Sequence, residues 1–185
     1  MQKLFAKPTA LALIIGSIII RLIPHPGNFT PLGATAIFGG AKLARPWNYI
    51  APLFILFLTD LFLGFHALMP YVYGCFLLSV FLSETFLKKS VSYAKLSTLA
   101  VANSLIFFLV TNWAVWRQGL MYPISLSGLM DSYVMGLPFL RNMLAGDLVF
   151  TLGFFALYNF AQNQAAWRKF DKQLALRLFE SGKQY

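Results

Sequence analysis

The chain alternates long apolar segments with short polar connections. Six apolar segments are predicted as helices, and they cover residues 8–23, 31–43, 47–63, 69–87, 94–116 and 137–160. A helix that crosses a bilayer needs about 20 residues, which the second segment does not reach. Its small residues, in GATAIFGGA, favour close helix packing over contact with lipid. We therefore expect the second helix to be tucked against its neighbours or tilted.

The C-terminal stretch follows a different pattern. Trp167, Phe170, Leu174 and Leu178 fall on one helical face, and the basic residues lie mostly elsewhere around the helix. This pattern predicts a C-terminal amphipathic helix on an anionic membrane surface, with a frayed basic tail as the alternative. The sequence thus divides into a six-helix membrane domain, residues 1–162, and a cytoplasmic helix or tail, residues 163–185.

Composition strengthens the membrane assignment. Hydrophobic residues make up 58% of the 185, and charged residues 11%, where a soluble domain has about 25% charged. The fold class predicted is an all-α integral membrane protein. The net charge of +9 does not indicate nucleic acid, because the basic residues form short clusters between apolar runs. Lys3 and Lys7 before LALIIGSIII resemble a signal peptide, but no small-x-small cleavage site follows, so we expect a retained first helix.

The distribution of charge also predicts which side of the membrane each connection faces. Of the fifteen lysines and arginines, only Arg21, Arg117 and Arg141 fall on one side of the predicted bundle, and the other twelve fall on the opposite side. The positive-inside rule then places both termini in the cytoplasm. We expect a multi-pass protein of the bacterial inner membrane whose outer connections, IPHPGNFTP, GFHALMP and the long one between the fifth and sixth helices, are shaped for binding.

Polar residues gather near the outer helix ends. They are Arg21, Asp60, Asn112, Arg117, Asp131, Arg141, Asn142 and Asp147. Ions in hydrocarbon pair with one another or line a wet cavity. Asp60 and Asp147 are therefore predicted either as buried partners of arginines or as ligand contacts. The chain has no HEXXH, CXXC or phosphate-binding glycine loop, so it does not hydrolyse ATP by a P-loop mechanism.

Two histidines and one cysteine complete the candidate chemistry. His25 lies between two prolines, which present its imidazole from a stiff loop. His66 precedes the fourth helix by three residues. Cys75 lies about a turn and a half into that helix, one turn beyond Tyr71 on the same face. The thiol is a candidate nucleophile or metal ligand, and a small packing residue is the alternative.

Several stretches resemble a family of small bacterial membrane proteins. These stretches are RLIPHPGNFTPLGATAIFGGA, LTDLFLGFHALMPYVYGCF, FFLVTNWAVW, YPISLSGLMDSY and GLPFLRNMLAGDL, which together span about residues 21–148. That family is related to the substrate-binding S-components of energy-coupling-factor (ECF) vitamin transporters. The cysteine in MPYVYGC makes the chain similar to the BtuM-type solitary cobalamin transporters within it.

The resemblance implies an S-component-like bundle that binds cobalamin (vitamin B-12) from the outer side for uptake. It implies that Cys75 is an axial ligand of the corrin cobalt, and sulfur is a soft ligand able to take that position. Electron donation from sulfur would also loosen the upper axial ligand, so that cyanide leaves. The remaining predicted binding residues are Tyr71, Tyr73, His25, Asn28, His66, Asp60, Tyr133 and Arg141.

Other functions stay open from the residues alone. One is an S-component-like binder of another vitamin, in which Cys75 only packs. Another is an intramembrane thiol enzyme in which Cys75 is the nucleophile and His66 its base. The predicted partners are cobalamin and the lipid bilayer, without nucleic acid, and recruitment of a shared ECF coupling module is left undecided.

Overall fold

The protein is helical throughout the part that is described. A computed structural model describes the backbone of residues 8–181 and the side chains of residues 9–164. Over the described backbone it contains six helices and no strand. The helices are α1 Pro8–Leu22, α2 Leu32–Lys42, α3 Trp47–Leu63, α4 Met69–Leu87, α5 Tyr93–Gln118 and α6 Leu126–Ser181. The number of helices and the bounds of the first five agree closely with the sequence pattern.

The start of α6 differs from the prediction. The helix begins at Leu126, not near residue 137, so much of the predicted long outer loop is helical. Ser125 initiates it, because its hydroxyl accepts from the Gly128 amide at 3.1 Å and its carbonyl accepts from the Leu129 amide at 3.0 Å. Pro138 lies inside the helix. The loop expected to wall or cover a ligand is thereby reduced to residues 119–125.

The other end of α6 bears on the predicted domain boundary. The helix continues across residues 162 and 163 and ends at Ser181. The amphipathic faces predicted from Trp167 and Phe170 lie outside the residues whose side chains are described. The cytoplasmic helix or tail therefore stays a prediction.

Helix α2 lies at the centre of the bundle, as its composition predicts. Nine of its 11 residues are buried, and it packs against α3, α4, α5 and α6. Its glycines allow this contact: a Cβ on Gly40 would lie 2.4 Å from the Val80 carbonyl oxygen of α4. Phe38 packs edge-on against Phe155 of α6, with ring centroids 5.5 Å apart. The short second helix is thus a core element.

Three helical stretches are both long enough and apolar enough to cross a membrane. They are Met69–Leu87, Tyr93–Gln118 and Leu126–Gln164, and Thr9–Leu22 and Trp47–Leu63 are shorter apolar helices. Large apolar side chains also cover the outside of the bundle, with Phe54 and Phe62 among the exposed ones. These features are those of a membrane protein, although helix length supports three crossings where the sequence predicts six.

The two ends of the bundle differ in charge. One end, called the basic end here, holds the α2–α3 and α4–α5 connections with Lys42, Arg45, Lys88, Lys89 and Lys95. There Arg45 donates to both carboxylate oxygens of Glu84 at 2.9–3.1 Å. Hydrogen bonding and charge from Glu84 raise the pKa of Arg45 above its ordinary value. The opposite end, called the cavity end, holds the other three connections.

Candidate functional site

A cavity of about 420 Å³ opens at the cavity end. All six helices or the connections between them contribute to its wall. Its polar lining includes Arg21, His25, Asn28, His66, Thr111, Asn112, Tyr122 and Ser132, and its apolar lining includes Val72, Phe76, Phe107, Met135, Phe139 and Met143. The volume falls within the usual range for small-molecule sites, about 300–1,000 Å³. A mainly apolar wall with a few polar groups is the composition expected of such a site.

The α1–α2 connection forms one side of the cavity and is fixed to α6. Asn142 donates to the Gly27 carbonyl at 3.1 Å. A Cβ on Gly27 would lie 2.8 Å from the Phe139 ring, so a larger residue at this position would displace that ring. Asn28 adopts a positive φ of 64°, which asparagine tolerates better than most residues. These features hold His25 and Asn28, both predicted as binding residues, at the cavity.

The two histidines reach the cavity differently. The His25 ring nitrogens lie 2.9 Å from the Pro26 carbonyl oxygen and 3.2 Å from that of Arg21. A neutral imidazole donates to one of them, so the loop itself orients this ring. His66, also predicted as a binding residue, lines the cavity from the α3–α4 connection and is exposed.

Arg21 is the cationic group of the cavity, and the residues behind it set its position. Its Nη2 donates to Asp60 Oδ1 at 2.8 Å, and its Nε donates to Thr59 Oγ1 at 2.7 Å. The Tyr73 hydroxyl donates to the other oxygen, Asp60 Oδ2, at 2.9 Å. Asp60 is the buried partner of an arginine, which confirms one of the two roles predicted for it. Asp60 and Tyr73 therefore support the wall instead of lining it.

Cys75 does not line this cavity. It is 5% exposed and borders a separate crevice of about 10 Å³ between α4 and α5, together with Ser79, Ser83 and Asn103. Val72 and Phe76 present their shared face of α4 to the cavity. Successive helical residues are about 100° apart, which turns Cys75 away from that face. The sequence predicts a thiol that faces an outward-opening pocket, whereas in the structure the thiol lines the small crevice instead.

The same geometry separates Cys75 from His66. The imidazole lines the large cavity and the thiol lines the crevice. The structure therefore does not bring together the nucleophile and base that a thiol enzyme needs.

Three further predicted binding residues lie outside the cavity. Tyr71 packs edge-on against Trp113, with ring centroids 6.1 Å apart. Tyr133 donates to the Leu109 carbonyl at 3.0 Å and so joins α6 to α5. Arg141 is exposed. Tyr71 and Tyr133 connect neighbouring helices, and this role explains why they are turned from the cavity.

The predicted binding residues do not include Arg21, Asn112 and Ser132, which also line the cavity. Arg21 and Asn112 were visible as polar residues at helix ends, which was the available signal. Ser132 belongs to the segment predicted as a loop, so its inward face could not be assigned.

Asp147 lies beneath the cavity floor. It follows the lining residue Met143 by one helical turn, and its Oδ2 accepts from Asn103 at 2.8 Å and from Ser104 at 2.7 Å. No ion pair with Asp147 occurs among the side chains of residues 9–164. The arginine partner predicted for Asp147 is therefore wrong, because amide and hydroxyl donors take that place. Over the same residues, no cluster of three or more His, Cys, Asp or Glu could hold a metal ion.

Comparison with known proteins identifies the family of this chain but indicates no activity. The model of a family of unknown function (DUF6580) matches residues 2–173. No curated protein and no solved structure matches the chain.

Proposed function

Because the chain belongs to the DUF6580 family, whose function is unknown, we propose a function from its own cavity: membrane uptake of a vitamin-sized molecule. The observation that carries this proposal is the 420 Å³ cavity at the end opposite the basic connections. Under the positive-inside rule, the basic end faces the cytoplasm, so the cavity faces outward. The cavity thus receives a molecule from outside the cell.

The full proposal gives the chain six crossings and an S-component-like arrangement. The long apolar α4, α5 and α6 span the bilayer, and α1 and α3 cross it as shorter apolar helices. The buried α2 crosses only inside the bundle, where it is shielded from lipid. Both termini then lie in the cytoplasm of a bacterial inner-membrane protein.

Cobalamin is the substrate that the sequence resemblance names. The polar groups of His25, Asn28 and Asn112 among Phe107 and Phe139 match an amide-rich corrin in chemistry, but the cavity of about 420 Å³ would have to widen to enclose one. Val72 marks the side of α4 that faces the cavity, and Cys75 lies about 60° around the helix from it. Cys75 could therefore ligate cobalt in the cavity only after a change in α4. Only in that changed state could electron donation from the Cys75 sulfur to cobalt release cyanide.

A second candidate is uptake of a smaller vitamin, with Cys75 as a packing residue. The burial of the thiol between α4 and α5 favours it. Recruitment of a shared ATPase coupling module is compatible with either substrate.

Purification from cells supplied with cobalamin tests the proposal. A coloured protein with bound corrin supports cobalamin uptake, and Cys75→Ala should then alter the cobalt absorption spectrum. Binding with an unchanged spectrum would argue against the cobalt–sulfur bond. A colourless preparation that carries another vitamin, identified by mass spectrometry, supports the second candidate. A wild-type preparation that carries no vitamin at all would contradict both candidates.

Thiol accessibility tests the position of Cys75 independently of substrate. A hydrophilic maleimide should leave native Cys75 unmodified and react only after denaturation. In a Cys75→Ala background, Val72→Cys should react in the native state, since position 72 lines the cavity. Faster labelling of wild-type Cys75 than of that control would show that the thiol reaches the cavity.

A further inference from the structure

Asp147 on α6 is a deeply buried acid whose polar neighbours are neutral. The residue is 1% exposed. Its Oδ2 lies 2.8 Å from Asn103 Nδ2 and 2.7 Å from Ser104 Oγ, both on α5. A carboxylate in a membrane interior is costly and is normally paired with a cation, as Asp60 is with Arg21. Where neighbours are neutral, the acid is favoured over its anion.

The hydroxyl of Ser104 indicates where a proton fits. Ser104 Oγ lies 2.7 Å from Asp147 Oδ2 and 3.1 Å from the Ala100 carbonyl oxygen. A hydroxyl has one hydrogen, so beside an ionised Asp147 it cannot donate fully to both acceptors. With a proton on Oδ2, Asp147 donates to Ser104 Oγ, and Ser104 donates to the Ala100 carbonyl. The same atomic positions therefore satisfy more hydrogen bonds when Asp147 is a neutral acid.

The elements packed around Asp147 bring no charge into contact with it. Helix α5 contributes the amide and hydroxyl described above, and α2 contributes its backbone at Gly33. On α1, Arg21 pairs with an aspartate of α3, and His25 in the next connection contacts carbonyls of its own loop. Cys75 of α4 lines the separate crevice. Over residues 9–164, none of these groups forms a hydrogen bond or ion pair with the Asp147 carboxyl.

One methionine separates Asp147 from the large cavity. Met143 precedes Asp147 by one turn of α6, lines the cavity and is 4% exposed. Residues four apart lie on the same helical face, so Met143 covers the approach from the cavity to the carboxyl. A movement of α6 that displaces this side chain would admit water, which stabilises the carboxylate.

We propose that Asp147 is a proton-binding site beneath the cavity. It holds a proton on Oδ2 while Met143 covers it. When the cover opens, the proton passes to cavity water and leaves a carboxylate that accepts from Asn103 and Ser104. Opening of the cavity floor is thereby linked to the release of one proton. The proton site does not depend on the vitamin proposed above, and its use in driving uptake rests on that proposed function.

Infrared spectroscopy of the protein in lipid vesicles tests the proposal without any ligand. At neutral pH the wild type should show the carbonyl stretch of a buried carboxylic acid, and Asp147→Asn should remove it. Asp60→Asn is the matched control, because Asp60 is ionised beside Arg21, and it should leave this band in place. Ser104→Ala should shift the band, because the acid loses its hydrogen-bond acceptor. Absence of the band from the wild type, its survival in Asp147→Asn, or an unshifted band in Ser104→Ala would overturn the proposal.

Hydrogen exchange at the same band tests the cover. In deuterated buffer, Met143→Ala should exchange the acid proton about tenfold faster than the wild type or more, because truncating a buried methionine removes packing that keeps the floor closed. Met135→Ala is the matched control, since Met135 also lines the cavity but is 63% exposed and lies two turns further from Asp147. It should leave the exchange rate unchanged. Equal exchange in Met143→Ala and the wild type would overturn the link between cavity and proton site.

Discussion

At the residue scale, polar side chains in the interior are held by specific neighbours. Asp60 receives two donors from Arg21 and Tyr73, and Asp147 receives two from Asn103 and Ser104. A carboxylate in an apolar interior is costly unless such donors or a cation stabilise it. The two aspartates therefore fix helix positions around the cavity, α1 to α3 and α4 in one case and α5 to α6 in the other.

The Arg21–Asp60 pair should be important for stability. Asp60→Asn removes the negative charge and leaves a mostly buried guanidinium, whose side chain is 15% exposed, without its partner. The expected cost is about 3 kcal/mol, typical of breaking a buried pair on one side. Arg45→Gln is the control, because Arg45 is 66% exposed and should cost under about 1 kcal/mol. Unfolding in detergent measures both, and equal costs would contradict the assignment.

Gly33 should tolerate no side chain. A Cβ there would lie 2.0 Å from Asp147 Oδ1 and 2.6 Å from Asn103 Nδ2. Gly33→Ala must therefore displace the hydrogen-bonded group beneath the cavity, with loss of stability and of ligand binding. Gly153→Ala is the matched control, since a Cβ at that helical position meets nothing within 4 Å. It should be neutral or stabilising by up to about 1 kcal/mol. Similar thermal stability of the two variants would refute the close approach.

At the element scale, the sequence predicts helices more accurately than it predicts which side chains face the cavity. The spacing of apolar segments located α1 to α5, and the glycines of α2 indicated its burial. Apolar periodicity could not decide whether Pro138 ends a loop or lies inside α6, since its effect depends on neighbouring helices. The face of Cys75 was equally undetermined, because α4 is apolar almost all round.

The α5–α6 turn should depend on one indole. Trp116 Nε1 lies within hydrogen-bond distance of the Pro123 and Ser125 carbonyls, at 3.1 and 3.0 Å. Trp116→Phe removes this donor, so amide hydrogen exchange in residues 119–125 should accelerate while the helices keep their protection. Trp113→Phe is the control, because Trp113 packs on the Tyr71 ring. If exchange in the turn were unchanged by Trp116→Phe, the indole would not be its anchor.

At the scale of the whole molecule, the segregation of basic residues to one end is the feature that sets orientation. The cavity end and the basic end are separated along the bundle, and each holds its own cavity. Under the proposed orientation, one cavity would face each side of the membrane.

Thiol labelling in intact cells tests this orientation. In a Cys75→Ala background, Leu120→Cys in the α5–α6 turn, where Leu120 is 84% exposed, should react with an impermeant maleimide added outside. Ser90→Cys in the α4–α5 connection should react only after lysis. The reverse pattern would place the large cavity on the cytoplasmic side and contradict the uptake direction.

The brevity of α2 has a mechanical consequence. Leu32 at its first residue borders the large cavity, and Lys42 at its last borders a second cavity of about 280 Å³ at the basic end. Eleven helical residues measure about 16 Å, roughly half the hydrocarbon thickness of about 30 Å. Under the proposed uptake, the two cavities are separated by about the length of this one helix, so we expect a displacement of α2 to be the movement that connects them.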